Sequence, residues 1–308
     1  MGANAKAASI AGDLVVQNAR VRAIGEDAGG FRPISEKDLF DCEYWSLEQA
    51  KLGKGAPPKF QGKVVMITGG SGTIGFAIAE AFSKLGAQTI LVDKDEIALK
   101  ESVTKLGVGH KYFPIDVTHS DAANQALLAA INNFGGLDIL ISNAGAAHAG
   151  PMLDISNEEL RNAFELNFFS HYSFSTEAAK ILKDQNRGGQ ILFNISKQAV
   201  NPGKNFGAYG LPKATTFFLM RQLALELGSD GIRVNGINAD RIRSGLLTDE
   251  FISSRAKSRG VSESEYMAGN LLNKEVTAEH VADAFTALAC AESTTGPVSY
   301  THLRAHET

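Results

Sequence analysis

Cysteine is scarce in this chain: Cys42 and Cys290 are the only two in 308 residues. Two thiols make no disulfide framework, and neither has a histidine or second cysteine at metal-ligand spacing. Both are read as structural thiols of a reducing compartment. Long apolar runs are missing too. No stretch reaches membrane-spanning length, and the opening MGANAKAASIAGDLVV has no continuous apolar core of the kind a signal peptide needs, so a cytoplasmic location is expected. Excess charge of either sign is absent, with 30 Lys and Arg against 34 Asp and Glu, a net charge of −4 and a pI near 6.0. That balance excludes any electrostatic reason to expect nucleic acid or an anionic membrane as partner. The seven histidines are scattered, and no metal site is expected. What remains is an ordinary globular composition, 44% hydrophobic and 21% charged, in a chain long enough for a sizeable core.

Residues 1–60 differ from the rest. ASIAGDLVVQNARVRAI has the pattern of one amphipathic helix, ended by Gly25, Gly29 and Gly30. FRPISEKDLFDCEYWSLEQAKL follows as a turn and a second helix with Ser35 as N-cap, and Tyr44 and Trp45 are read as packing residues. Pro57 and Pro58 stop any continuing helix, so GKGAPPKFQGK is a linker. From residue 61 to 296 the pattern becomes strand and helix in alternation, which predicts an α/β domain with a doubly wound parallel sheet. Strands are expected at VVMIT, TILVD, HKYFPIDVT, LDILISNAG, QILFNIS and IRVNGINA, with one long helix over NEELRNAFELNFFSHYSFSTEAAKIL.

The first strand runs into Gly69-x-x-Gly72-x-x-Gly75 and an apolar-periodic helix. A glycine pattern alone is weak, but placed between strand and helix it describes a turn built to approach a pyrophosphate. There the backbone N–H groups of Gly69, Ser71, Gly72, Thr73, Ile74 and Gly75 can face phosphate oxygens, where side chains would obstruct them. Asp93 ends the second strand, eighteen residues after Gly75, where a carboxylate can bind the adenosine ribose hydroxyls. Its charge repels a 2′-phosphate and favours NAD over NADP, although Lys94 beside it leaves room for NADP. Asn143-Ala144-Gly145 makes a tight turn after the fourth strand, at the sheet edge where ligands of open α/β folds bind.

Tyr209 and Lys213 stand four residues apart at the start of a predicted helix and so share a face. Tyrosine is a poor base at neutral pH because its pKa is about 10. An ammonium roughly 5 Å away, at an effective dielectric of about 20, favours the phenolate by about 3 kcal/mol. That amounts to about 2 pKa units, enough to bring the tyrosine toward the range of a general base. Ser196, thirteen residues before it, could hold a substrate oxygen. Pro212 is tolerable only if the helix begins near Ala208.

Taken together, Thr68-Gly69-x-x-Gly72-x-x-Gly75, the Asn143-Ala144-Gly145 turn, Asn167, and Ser196 with Tyr209-x-x-x-Lys213 resemble the short-chain dehydrogenase/reductase family over about residues 61–296. The resemblance implies a Rossmann fold and NAD(P)-dependent hydride transfer at an alcohol or carbonyl carbon. Tyr209 would then be the acid/base, Lys213 would hold the nicotinamide ribose, Ser196 would orient the substrate oxygen and Asn167 would anchor a relay water. Asp116 and Val117 fall where the family contacts adenine, and Ile242 and Ser244 where it contacts the carboxamide side. FDCEYWSLEQAKL, SKQAVNPGKNFGAYGLPKA and RVNGINADRIRSGLLT look like the bifunctional aldolase/short-chain dehydrogenases of rhamnose-type sugar breakdown. This chain would be their linker and dehydrogenase half, acting on lactaldehyde or a related hydroxy-aldehyde or polyol, as a dimer or tetramer.

The chain also departs from that pattern. Thr73 stands where simple members have their second glycine, and Ala239-Asp240 where most have Pro-Gly. Arg241 and Arg243 are read as solvated or ion-paired rather than anion-binding, and His148 and His171 as packing or solvent-facing. Residues 245–274 fall where the family places its substrate lid, so a mobile cover is what the resemblance implies there. AESTTG leads into a polar tail, 297–308, with no sign of the last strand that normally closes the sheet. The alternatives are therefore a cofactor-binding module or truncated fragment without turnover, and, from the glycine spacing, a sugar-nucleotide epimerase or dehydratase.

Overall fold

The computed structural model describes residues 5–43, 56–147, 149–239, 241–245 and 247–300. Tyr44, Trp45, His148 and Asp240 lie outside the described residues, as does the tail from 301 onward. The chain divides at Gly62 and Lys63 into two units. In the first, α1 (Ala5–Asp27) runs two residues beyond Gly25 before the chain turns at Gly29 and Gly30. Ile10, Leu14, Val21 and Ile24 share one face, with Val15 and Val16 off it, and all six are exposed. Ser35 caps α2 (Glu36–Glu43) as predicted, its Oγ accepting from Asp38 N at 3.1 Å.

The second unit is a seven-stranded parallel sheet: β1 (Val64–Thr68), β2 (Gln88–Asp93), β3 (Lys111–Pro114), β4 (Ile139–Ser142), β5 (Gly189–Asn194), β6 (Ile232–Asn238) and β7 (Val298–Tyr300). Their order across the sheet is β3-β2-β1-β4-β5-β6-β7. The helices between them are α3 (Thr73–Lys84), α4 (Glu96–Leu106), α5 (Ala122–Phe134), α6 (Asn157–Phe164), α7 (Ser170–Gln185) and α8 (Gly207–Leu227). After β6 come α9 (Asp249–Arg259), α10 (Glu263–Met267) and α11 (Ala278–Cys290). Central strands such as VVMIT are buried on both faces, which is why they read as continuous apolar runs. Met66, Val92, Leu140 and Phe193 meet Ala126, Phe174, Leu182 and Met220 of α5, α7 and α8 in one core cluster.

Three expectations are corrected. The sheet does have a last strand: β7 pairs parallel with β6 through Gly236↔Val298, Ile237↔Ser299 and Asn238↔Tyr300. It is anchored by Gly296 N donating to Val234 O at 2.8 Å. The third strand stops at Pro114 rather than reaching Asp116 and Val117, because the Asp116 carboxylate accepts from Thr118 N at 2.9 Å and turns the chain. The long helix through Asn167 is not uniform: a π-helical turn, Glu165–Phe169, separates α6 from α7. The helix carrying Pro212 does begin near Ala208 as expected, at Gly207, and Pro212 in its second turn removes only the donor that would meet Ala208 O.

Gly70, next to the phosphate-type turn, is packed rather than open: a Cβ there would meet Leu91 Cβ at 2.8 Å and Ile67 O at 3.0 Å. Gly70→Val is therefore expected to lower unfolding free energy by about 1–3 kcal/mol through overpacking, read as a lower urea midpoint at unchanged slope.

Candidate active site

The loops after β1, β4 and β5 meet at the carboxyl edge of the sheet, where the chain leaves β1 toward β2 on one side and β4 toward β5 on the other. That is the switch point at which open α/β sheets bind ligands. A cavity of about 810 Å³ opens there. At one end Gly69 takes φ +65°, and a Cβ on it would come 3.0 Å from Ala144 Cα. Gly72 begins α3 with no side-chain cap, so the first amides of the helix, at Thr73, Ile74 and Gly75, are left for whatever occupies the cavity. Asp93 faces the same end. Its carboxylate accepts from Lys94 N at 2.8 Å and Ser71 N at 3.3 Å, which holds it at the mouth of the turn. An uncapped helix start, a glycine turn and an oriented carboxylate fit the pyrophosphate and ribose of a dinucleotide.

A hydrogen-bond chain then crosses three strand ends. Thr68 Oγ1 accepts from Asn143 N at 2.9 Å and Ala144 N at 3.1 Å. Asn143 Oδ1 accepts from Asn194 Nδ2 at 2.8 Å. Asn194 O in turn accepts from Lys213 Nζ at 3.0 Å. Lys213 is buried (2% exposed), and that burial lowers its pKa from 10.5 to about 7. Its ammonium lies 5.9 Å from the centre of the Tyr209 ring. Its other partner is His171 Nε2 at 3.3 Å, while His171 Nδ1 lies 2.6 Å from Ser142 Oγ. Burial first, then the Lys213 charge, hold the imidazole well below its ordinary pKa, so it is neutral and Nε2 accepts. His171 is thus a packing histidine that also touches the lysine.

Ser196, Tyr209, Lys213, Asn143, Ala144, Gly145 and Ile242 all line the cavity. Four residues expected at the site stand elsewhere. Ser71 gives its amide to Asp93. Asp116 is exposed and spent on Thr118, whose N–H and hydroxyl hold its carboxyl below the usual carboxylate range. Val117 belongs to the apolar core. Asn167, buried in the π turn, uses its amide on Ala146 O at 2.9 Å and Ala163 O at 3.1 Å. It nonetheless backs the site: a Cβ on Gly145 would meet Asn167 Oδ1 at 2.8 Å and Lys213 Nζ at 3.5 Å. Sequence reasoning missed Asn194, whose signal was only a polar residue ending an apolar run. It also missed Arg255 and Arg259, although their i,i+4 spacing marks one helix face.

The sequence and the fold agree with known proteins. A family model described as short chain dehydrogenase matches residues 63–252. The chain belongs to the short-chain dehydrogenase family. A second model, the second domain of class II aldolase, matches residues 1–52 ahead of the dehydrogenase, the order of an aldolase/short-chain dehydrogenase fusion. The oxidoreductase YuxG of Bacillus subtilis is 33% identical over 283 residues, 87% of this chain, but the chain spans only 41% of that protein's length. The 7alpha-hydroxysteroid dehydrogenase of Escherichia coli is 34% identical over 182 residues, 58% of this chain and 71% of that one. Among solved structures, L-sorbose reductase from Gluconobacter frateurii, complexed with NADPH and L-sorbose, is 26% identical with a TM-score of 0.74, over 82% of this chain and all of that one. A 3-ketoacyl-(acyl-carrier-protein) reductase from Brucella melitensis, complexed with NADH, shares the fold at 24% identity and a TM-score of 0.72, over 79% of this chain and 97% of that one. The dehydrogenase fold is that of an NAD(P)-dependent oxidoreductase.

Lys213 makes a pH-dependent contribution to stability. Its folded pKa, about 7, lies below its ordinary 10.5, so between those values unfolding takes up a proton that the folded chain has released. Stability contributed through this group therefore rises with pH across that window and is least below it. Lys213→Met should flatten that rise in urea unfolding measured from pH 7 upward, and a slope equal to the native protein's would contradict the assignment.

Proposed function

We propose that the dehydrogenase transfers hydride between NAD and a small hydroxyl or carbonyl compound, with Tyr209 as acid/base. The carrying observation is the buried Lys213 ammonium beside the Tyr209 ring, in one cavity with Ser196 and the glycine turn. The dinucleotide, when bound, supplies the hydride acceptor or donor. In the oxidative direction Tyr209 Oη, as phenolate, takes the substrate hydroxyl proton, and in reduction it returns one. Lys213 stabilises that phenolate and meets the nicotinamide ribose. Ser196 Oγ, which already accepts from Gln198 N at 3.2 Å, donates to the substrate oxygen and fixes its position. Asn167 holds the Gly145-Ala146 turn against Lys213 at the inner end of the proton relay.

On the cofactor's adenosine side, Gly69, Gly72, Thr73, Ile74 and Gly75 take the pyrophosphate and Asp93 the ribose. The Asp93 carboxylate favours NAD over NADP. Asn143, Ala144, Gly145 and Ile242 bracket the nicotinamide half. For the substrate, the aldolase match upstream and the sugar bound by the L-sorbose reductase support lactaldehyde or a related sugar or polyol of deoxysugar breakdown. Exposed Phe169 and Tyr172 in and beside the π turn, and Phe218 and Leu225 on α8, support a homo-oligomer, a dimer or tetramer, and the cytoplasm is the compartment proposed.

Tyr209→Phe should abolish NADH formation from lactaldehyde or the active polyol while NAD binding, followed by calorimetry, stays within about twofold. Residual turnover within tenfold of the native rate would remove Tyr209 from the role of base. Asp93→Ala is expected to weaken NAD and strengthen NADP binding, reversing the preference; an unchanged ratio would place the ribose contact elsewhere.

A further inference from the structure

The cavity carries more positive charge than hydride transfer on a neutral molecule uses. Lys197, Lys204, Arg241, Arg255 and Arg259 line it, while the one carboxylate among the described lining residues is Asp93, at the glycine turn. Three of these cations sit against aromatic rings. The guanidinium carbons of Arg241 and Arg259 lie 4.3 and 5.2 Å from the centre of the same Tyr266 ring. Arg255 stands 5.3 Å from the Phe206 ring and 5.9 Å from Phe251, and its buried Nε has no hydrogen-bond partner. The aromatic faces of Phe206, Phe251 and Tyr266 hold Arg255 and Arg259 in place without neutralising them.

The backbone is shaped to deliver Arg241 to this group. Arg241 takes φ +40°, a left-handed conformation that a side chain with a Cβ rarely adopts, and such strain clusters at ligand clamps. Across from it, a Cβ on Gly269 would come 2.8 Å from Arg241 Nη1, so a glycine leaves the room the guanidinium occupies. Arg243, two residues on, serves as the contrast: Glu275 at 2.7 Å and Asp249 at 2.6 Å hold it in a surface ion-pair network away from the cavity. Like charges gathered in a partly buried cleft repel one another, and a bound anion relieves that repulsion. Guanidinium forks are the side chains best matched to carboxylate and phosphate oxygens.

We propose that the substrate of this site is not neutral lactaldehyde itself but an anionic relative of it, with a phosphate or a carboxylate on the carbon chain beyond its reacting hydroxyl or carbonyl, and that Arg241, Arg255 and Arg259 bind that group. A 2′-phosphate of NADP does not account for these residues, because the ribose carboxylate Asp93 marks the other end of the cavity. The reacting end of the substrate rests on the oxidoreductase reading above; the anion end rests on the arginines alone.

Inorganic phosphate titrated calorimetrically into the NAD-saturated protein tests the proposal, because NAD already fills the pyrophosphate turn. Binding is expected, weakened about tenfold or more by Arg255→Met and by Arg259→Met, each checked for an unchanged circular dichroism spectrum. No phosphate binding, or binding that neither substitution alters, overturns the proposal. Turnover of glycerol, glycerol 3-phosphate and glycerate is compared alongside. Higher kcat/KM for either anion supports the proposal and says which group is read, whereas equal kcat/KM for all three overturns it and leaves the oxidoreductase reading standing. Arginine-dependent phosphate binding with no turnover of any hydroxyl compound supports the anion site and counts against the oxidoreductase reading instead.

Discussion

One line of hydrogen bonds, from Thr68 through Asn143 and Asn194 to Lys213, ties the carboxyl ends of β1, β4 and β5 to the helix that carries Tyr209. An ammonium taken out of water is costly unless its donors are met. Here a strand-end carbonyl and a neutral imidazole meet two of them, and their positions are set by the sheet register itself. The lysine stays buried only while three adjacent strands keep their alignment. Sheet order and site geometry are therefore one constraint rather than two.

The surrounding irregularities follow from that constraint. The π turn at Glu165–Phe169 brings the Asn167 amide to Ala146, which presses the Gly145 backbone toward Lys213. Thr216, one turn beyond Lys213, donates to Asn167 O at 2.7 Å, so the two helices are locked at the level of the site. The neutrality of His171 matters in the same way, since a second cation at that position would repel the lysine. Beyond β6, α9 and α10 pack over a small apolar cluster of their own, Leu247, Ile252, Ala256, Tyr266 and Met267. The arginines of that segment are thereby presented by a unit with its own core, distinct from the cluster under the sheet.

Much of this was legible in the residues. Apolar runs bounded by turn signals located β1, β2, β4, β5 and β6, and their alternation with helices implied a parallel sheet. The glycine turn, Asp93, Ser196, Tyr209 and Lys213 were legible because each has fixed sequence spacing from a strand end, and the cavity gathers them. What escaped was whatever depends on a partner distant in sequence. β7 is three residues of unremarkable composition, specified by the exposed edge of β6 rather than by its own pattern. A π turn differs from an α turn by one residue, and NEELRNAFELNFFSHYSF shows only a helical period. Val117 lies at the end of the predicted third strand yet points into the core, because the chain has already turned at Asp116. Arg255 and Arg259 read as the solvated face of a polar helix until the fold brings Arg241 to them from the loop after β6.

The central claim is that the buried lysine makes Tyr209 a base within reach of neutral pH. Tyrosinate absorbance followed across a pH titration of the NAD-bound protein, with Tyr209→Phe subtracted, measures this directly. The account predicts one tyrosine ionising well below the ordinary value of about 10 and missing from the variant. If every tyrosine titrates at the ordinary value, and the substitution removes only one such step, the account is contradicted.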